Sequence, residues 1–208
     1  MSNSKSKTLE DSVTEMVDRL CQNKQLPKYQ FERCSDVFIS MFLGDWLKDK
    51  VKEDELVYVA NEFPLKKDKN CGSTNVDLLY VGKSCLYFVE LKTDSSSFSQ
   101  GQISSYLNHI NKKTSSSDYI DPINAISEGS DKNEKYQHLI SRLKNMKNMN
   151  IQFILVSPED SNLSSDGKIL GFNLLDFINC KELDTPHCEL WSILQPKLAK
   201  AFGLVKNE

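Results

Sequence analysis

The chain has 208 residues, enough for one domain with a core of its own. Hydrophobic residues make up 39% and charged residues 26%, an ordinary globular balance, and no apolar run reaches the roughly 20 residues that a membrane span needs. The formal net charge is −3, so any basic surface for gripping phosphates must be local or supplied by a partner.

Met1 to Thr8 is polar and lacks an apolar stretch, which predicts a short disordered tail (residues 1–8) rather than a secretory signal. Residues 9–208 read as one domain, with a core over about 28–157 and a C-terminal extension over 158–208. Leu9, Val13, Met16, Val17 and Leu20 fall at helical spacing, predicting a helix to about Gln25. Pro27 breaks it. A second helix is expected from Lys28 to about Lys50, with Phe31, Cys34, Phe38, Met41, Phe42 and Trp46 forming a buried stripe.

The period then changes from 3.6 to 2. Leu56–Leu65, Val76–Val81 and Cys85–Leu91 read as strands rich in Val, Leu, Tyr and Phe. The short Gly82-Lys83-Ser84 link admits only a hairpin. Ser97 to about Asn111 reads as a helix with serines at its start. Thr114 to Ser130, rich in Ser, Asp and Asn, reads as mostly loop with at most a short helical turn. Lys132–Met149 looks helical, and Ile151–Val156 is an apolar run suited to a buried strand. Lys168–Phe172 is a further strand candidate, Leu174–Ile178 a short helix, and Pro186–Phe202 a helix broken or kinked near Pro196. This order predicts an α/β sandwich around a central mixed β-sheet of about four to five strands.

Six cysteines, Cys21, Cys34, Cys71, Cys85, Cys180 and Cys188, are scattered with no CxxC pair. They read as reduced thiols of a cytosolic protein.

The chemistry concentrates in Asn75 to Asp94, NVDLLYVGKSCLYFVELKTD. Alternate strand residues share a face, so Glu90 and Lys92 point the same way. A two-residue loop at Lys83-Ser84 pairs Gly82 with Cys85 and sets Asp77 opposite Glu90. Sliding that loop back by one sets Asp77 opposite Phe88, on the same face. An odd loop or a bulge reverses the result. Opposed β-carbons lie roughly 4.5–5.5 Å apart, so two carboxylates there repel unless a cation joins them. A lysine beside them can hold a water or stabilise charge on a phosphate. A bland alternative is a structural Asp–Glu–Lys cluster, but charge inside a strand as apolar as Leu86–Leu91 is costly without a role.

VDLLYV followed by YFVELKTD resembles the PD-(D/E)xK nuclease superfamily, with Val76 where the family name has Pro. Gln102-Ile-Ser-Ser-Tyr106 is similar to the QxxxY motif of its RecB-like branch, one helical turn between the two named residues. His109 is one turn further on. The resemblance spans about Tyr29 to Val156 and leaves the last fifty or so residues unaccounted for. It implies a restriction-endonuclease-like sandwich and a Mg²⁺- or Mn²⁺-dependent nuclease. Asp77, Glu90 and the main-chain carbonyl of Leu91 would ligate the metal, and Lys92 would position or activate the attacking water. Glu32 would assist from the preceding helix, with Asp36 one turn on and Glu62 in the first strand as a second candidate. Gln102 and Tyr106 would contact the nucleic acid or order the site. Lys66, Lys67 and Lys69, with Lys112 and Lys113, are candidate phosphate contacts flanking it.

The expected partner is nucleic acid, taken as DNA, with no membrane; the expected setting is repair, restriction or anti-phage defence in the cytoplasm. A homodimer or a partner protein is expected to supply recognition. The alternative is a catalytically silent binding or scaffold subunit that keeps the nuclease fold.

Overall fold

A computed structural model describes residues 8–23, 31–65, 74–93, 104, 106–107, 115–128, 133–158 and 168–202. Its elements run α1 (Leu9–Asn23), α2 (Phe31–Val51), β1 (Val57–Leu65), β2 (Thr74–Val81), β3 (Cys85–Leu91), α3 (Ser117–Glu128), α4 (Asn133–Leu143), β4 (Asn150–Ser157), β5 (Ile169–Asn173), α5 (Leu174–Ile178) and α6 (Cys188–Ala201). The protein is an α/β sandwich. Its five strands form one mixed sheet in the order β1-β2-β3-β4-β5. The first three are antiparallel, whereas β4 and β5 run parallel to β3. No helix among the described residues is long and apolar enough to cross a membrane.

β3 is the middle strand, and its residues feed both layers. Tyr87, Val89 and Leu91 enter one core with α1, α2, α5 and α6, while Leu86 and Phe88 enter the other with α3 and α4. That explains why the strand reads apolar on both faces. Phe88 stacks on Phe153 at 5.0 Å, and Phe42 meets Trp191 at 4.9 Å on the opposite side. Burial of each such side chain contributes about 1.5–3 kcal/mol. The C-terminal extension is therefore a structural layer: α5 and α6 close the core over α2.

Close packing of α2 on the sheet depends on Gly44. A β-carbon there would stand 2.8 Å from Cε1 of the Tyr80 ring. The Tyr80 hydroxyl donates to the Ser40 carbonyl at 3.1 Å, fixing the helix against β2. At the other end of the hairpin, Glu53 accepts from the Lys83 N–H at 3.1 Å and the Tyr87 hydroxyl at 2.8 Å.

Three expectations need correction. Within the stretch expected as loop, Ser117–Glu128 is a helix, because Tyr119, Ile120 and Ile123 supply a buried stripe that tertiary packing rewards. Ser116 ties this helix to the end of α4, accepting from the Met149 N–H and donating to the Met146 carbonyl. The helix expected over 132–149 stops at Leu143, followed by turns that include Asn148 at φ 62°. Asn is tolerated there because its short polar side chain suits left-handed backbone. α6 runs through Pro196 without a break. Of the helix expected from Ser97 to Asn111, the described residues Ser104, Tyr106 and Leu107 are helical.

β1 is an edge strand with an irregular backbone. Its register with β2 shifts between Tyr58 and Ala60, Glu62 adopts φ 51°, and Pro64 lies near its end. Arg142 of α4 donates to the Val59 carbonyl at 2.8 Å. Cys21, Cys34, Cys85, Cys180 and Cys188 are free thiols, and Cys71 lies outside the described residues.

Candidate active site

The hairpin register runs from Val81↔Leu86 to Leu78↔Val89, and Asp77 and Glu90 are the next residues along each strand. The two-residue loop is closed by the Gly82 N–H donating to the Cys85 carbonyl at 2.9 Å.

Glu90 is buried on the central strand, and its two carboxylate oxygens have different partners. Oε1 pairs with Lys92 Nζ at 2.6 Å; the two side chains are 5% and 12% exposed. Oε2 accepts from the Tyr106 hydroxyl at 2.5 Å. A buried carboxylate needs such partners, because an uncompensated one costs several kcal/mol.

Asp77 Oδ2 accepts from the Leu91 N–H at 2.7 Å, across the hairpin. Burial, then the charge of Glu90, pushes the Asp77 carboxyl up to about 8; the Leu91 N–H and Lys92 pull it back, and Asp36 adds to the rise. Two carboxylates thus share one low-dielectric site with a lysine beside them. Asp77, Glu90, Lys92 and Tyr106 are brought together. Leu91 lies between them, its amide held by Asp77.

Sequence reasoning underweighted two acidic residues. Asp36 on α2 is 5% exposed, and its charge is felt at both Asp77 and Tyr58. It lies one turn beyond Glu32, whose backbone is in α2 but whose side chain lies outside the described residues. The available signal was position: an Asp one turn on shares a helix face with Glu32. Glu62 lies opposite Asp77 in the β1–β2 register, between Asn61↔Leu78 and Phe63↔Val76. Its left-handed backbone, φ 51°, costs about 1–3 kcal/mol. Ala60 and Phe63, and likewise Val76 and Leu79, join the same core despite their odd spacing, so the pleat is interrupted on both strands at this level. Asn75 Nδ2 donates to Glu62 Oε2 at 3.1 Å, and the Asn75 carbonyl lies 3.3 Å from the Tyr106 hydroxyl. No single-sequence periodicity signals that interruption.

Gln102, His109, Lys66, Lys67, Lys69, Lys112 and Lys113 lie outside the described residues. Among the described residues no three His, Cys, Asp or Glu side chains gather as a metal cluster. Mg²⁺ does not require one, since it is commonly held by one or two carboxylates with water and substrate phosphate completing six oxygens. Asp77 and Glu90 supply carboxylate oxygens, the donor type that such a cation takes. No family model, curated protein or solved structure matches the chain.

Proposed function

We propose that the chain is a Mg²⁺- or Mn²⁺-dependent nuclease of the PD-(D/E)xK type, hydrolysing phosphodiester bonds in nucleic acid, with DNA as the first substrate to test. The observation that carries this reading is the grouping of Glu90, with the Lys92 ammonium 2.6 Å away, and Asp77, held by the Leu91 N–H at 2.7 Å. A buried carboxylate beside a half-buried one is electrostatically costly, and a divalent cation relieves that cost. When bound, the cation supplies charge neutralisation for the attacked phosphate.

The chain's own groups supply the rest. Asp77 and Glu90 hold the cation, and the Leu91 N–H fixes the Asp77 carboxylate. Lys92 orients a water and offsets negative charge building on the phosphoryl oxygens. Tyr106 holds Glu90 in place from the helix that follows β3. Asp36 adds negative field that favours a bound cation.

One observation favours a second reading, a silent scaffold: both Glu90 oxygens already have protein partners. Such a closed network is also what a purely structural polar cluster needs. The deciding experiment is cleavage of labelled linear and circular DNA with Mn²⁺ or Mg²⁺, comparing wild type with Lys92→Ala and Glu90→Ala. Cleavage that both variants lose supports the nuclease. Activity unchanged in both variants rules out this site, and a wild type that cuts nothing supports the scaffold.

A further inference from the structure

Tyr106 is 4% exposed, and its hydroxyl stands between two acceptors. Glu90 Oε2 is 2.5 Å away and the Asn75 carbonyl 3.3 Å. A tyrosine hydroxyl carries one proton and rotates about its C–O bond, so it donates fully to one acceptor at a time. Here that acceptor is Glu90, the nearer and the charged one.

The second acceptor is fixed independently of the first. Asn75 lies beyond the β2–β3 pairs, which run from Val81 to Leu78. Its partner on the other side is Pro64 of β1, which has no N–H to offer the carbonyl. The Asn75 side chain is tied to the same edge strand, its Nδ2 donating to Glu62 Oε2 at 3.1 Å. The carbonyl is therefore placed beside Tyr106 by β1 and not by Glu90.

The two partners of Glu90 differ in what they can do next. Lys92 holds Oε1 by charge at 2.6 Å. Tyr106 holds Oε2 through one neutral donor that has a second acceptor within reach. A buried hydroxyl deprived of its acceptor is costly, and the Asn75 carbonyl removes that cost. Oε2 is thus the Glu90 oxygen that can be given up without stranding a buried polar group.

We propose that Tyr106 is a latch on the carboxylate site: its hydroxyl competes with a divalent cation for Glu90 Oε2, and turns to the Asn75 carbonyl when that oxygen is given up. The inference rests on the cation reading above and adds the regulation of that site. It makes the partnered Glu90 a resting arrangement rather than a closed structural cluster.

The test is titration with Mn²⁺ alone, without nucleic acid, counting free Mn²⁺ by electron paramagnetic resonance. Tyr106→Phe keeps the ring and removes the competing donor. It is expected to bind Mn²⁺ about tenfold more tightly, because wild type must exchange a hydrogen bond to a charged acceptor for one to a neutral carbonyl. A hydroxyl that only positions Glu90 predicts the opposite sign. A second measurement uses wild type itself. Its ultraviolet difference spectrum on adding Mg²⁺ is expected to show a tyrosine band moving to the blue, as a phenol leaves a carboxylate. Equal or weaker Mn²⁺ binding by Tyr106→Phe overturns the latch and leaves the cation site standing. So does an unmoved tyrosine band in a wild type that binds the ion. Binding by Tyr106→Phe alone supports the latch. If neither protein binds Mn²⁺, the cation reading and the latch fall together.

Discussion

The Tyr106 hydroxyl donates to Glu90 Oε2 at 2.5 Å, joining the helix after β3 to the central strand of the sheet. The bond makes Tyr106 a positioning residue for Glu90. Tyr106→Phe keeps the ring against Phe153, 5.7 Å away, and removes only the donor. A hydrogen bond to a charged group contributes about 1.5–3 kcal/mol. Urea unfolding is expected to show a loss of that order. A midpoint equal to wild type would show that Glu90 finds another donor.

Lys92 and Glu90 form a buried pair. Lys92→Met leaves the carboxylate without its cation and is expected to cost about 3–5 kcal/mol. The double variant Lys92→Met/Glu90→Leu removes both charges and is expected to recover most of that loss. A double-mutant cycle by chemical denaturation measures the difference. Additive losses would mean that the pair is not coupled.

Divalent cation binding has its own readout. Mn²⁺ at a hundred times its dissociation constant is expected to stabilise wild type by about 2.7 kcal/mol. Asp77→Asn keeps an acceptor for the Leu91 N–H and loses the charge, so it is expected to lose the Mn²⁺ shift while staying folded. A thermal melt with and without Mn²⁺ reads this directly. An undiminished shift in Asp77→Asn would remove Asp77 from the ligand set.

Trp191 tests the C-terminal layer. Its indole packs 5.1 Å from Phe177 and donates to the Cys180 carbonyl at 2.7 Å. Trp191→Ala is expected to destabilise by about 3–5 kcal/mol. Truncation before α5 is expected to prevent folding, seen as loss of the cooperative melt. A truncated chain that melts cooperatively would show the sheet to be self-sufficient.

Gly44→Val places a branched side chain against the Tyr80 ring and is expected to cost about 1–3 kcal/mol from overpacking. Helix propensity alone predicts the opposite sign, since Gly is the weaker helix former. The direction of the Tm change separates the two.

The sequence made the hairpin legible because period 2 and a two-residue loop leave few registers, one of which pairs Val81 with Leu86 as observed. α3 was hidden because it carries Pro122 and lies in a Ser-rich stretch, while Tyr119, Ile120 and Ile123 acquire their meaning only against Phe88 and Phe153. The surroundings of Asp36 and Glu62 were less legible still. Burial of Asp36 depends on how α2 seats on β2, and the left-handed turn of Glu62 leaves no mark in residue type. Likewise, the stripe of α6 shows that it is amphipathic but not which layer it covers.

The irregular backbone of β1 has a consequence for how copies of this chain meet. An edge strand is a template on which a stranger's backbone can zip, and flat, regular edges invite fibrous stacking. Here the register slip, the left-handed Glu62 and Pro64 disturb the spacing of the free donors and acceptors, and Arg142 already occupies the Val59 carbonyl. The same distortion that frames the carboxylates makes that edge a poor seed for aggregation.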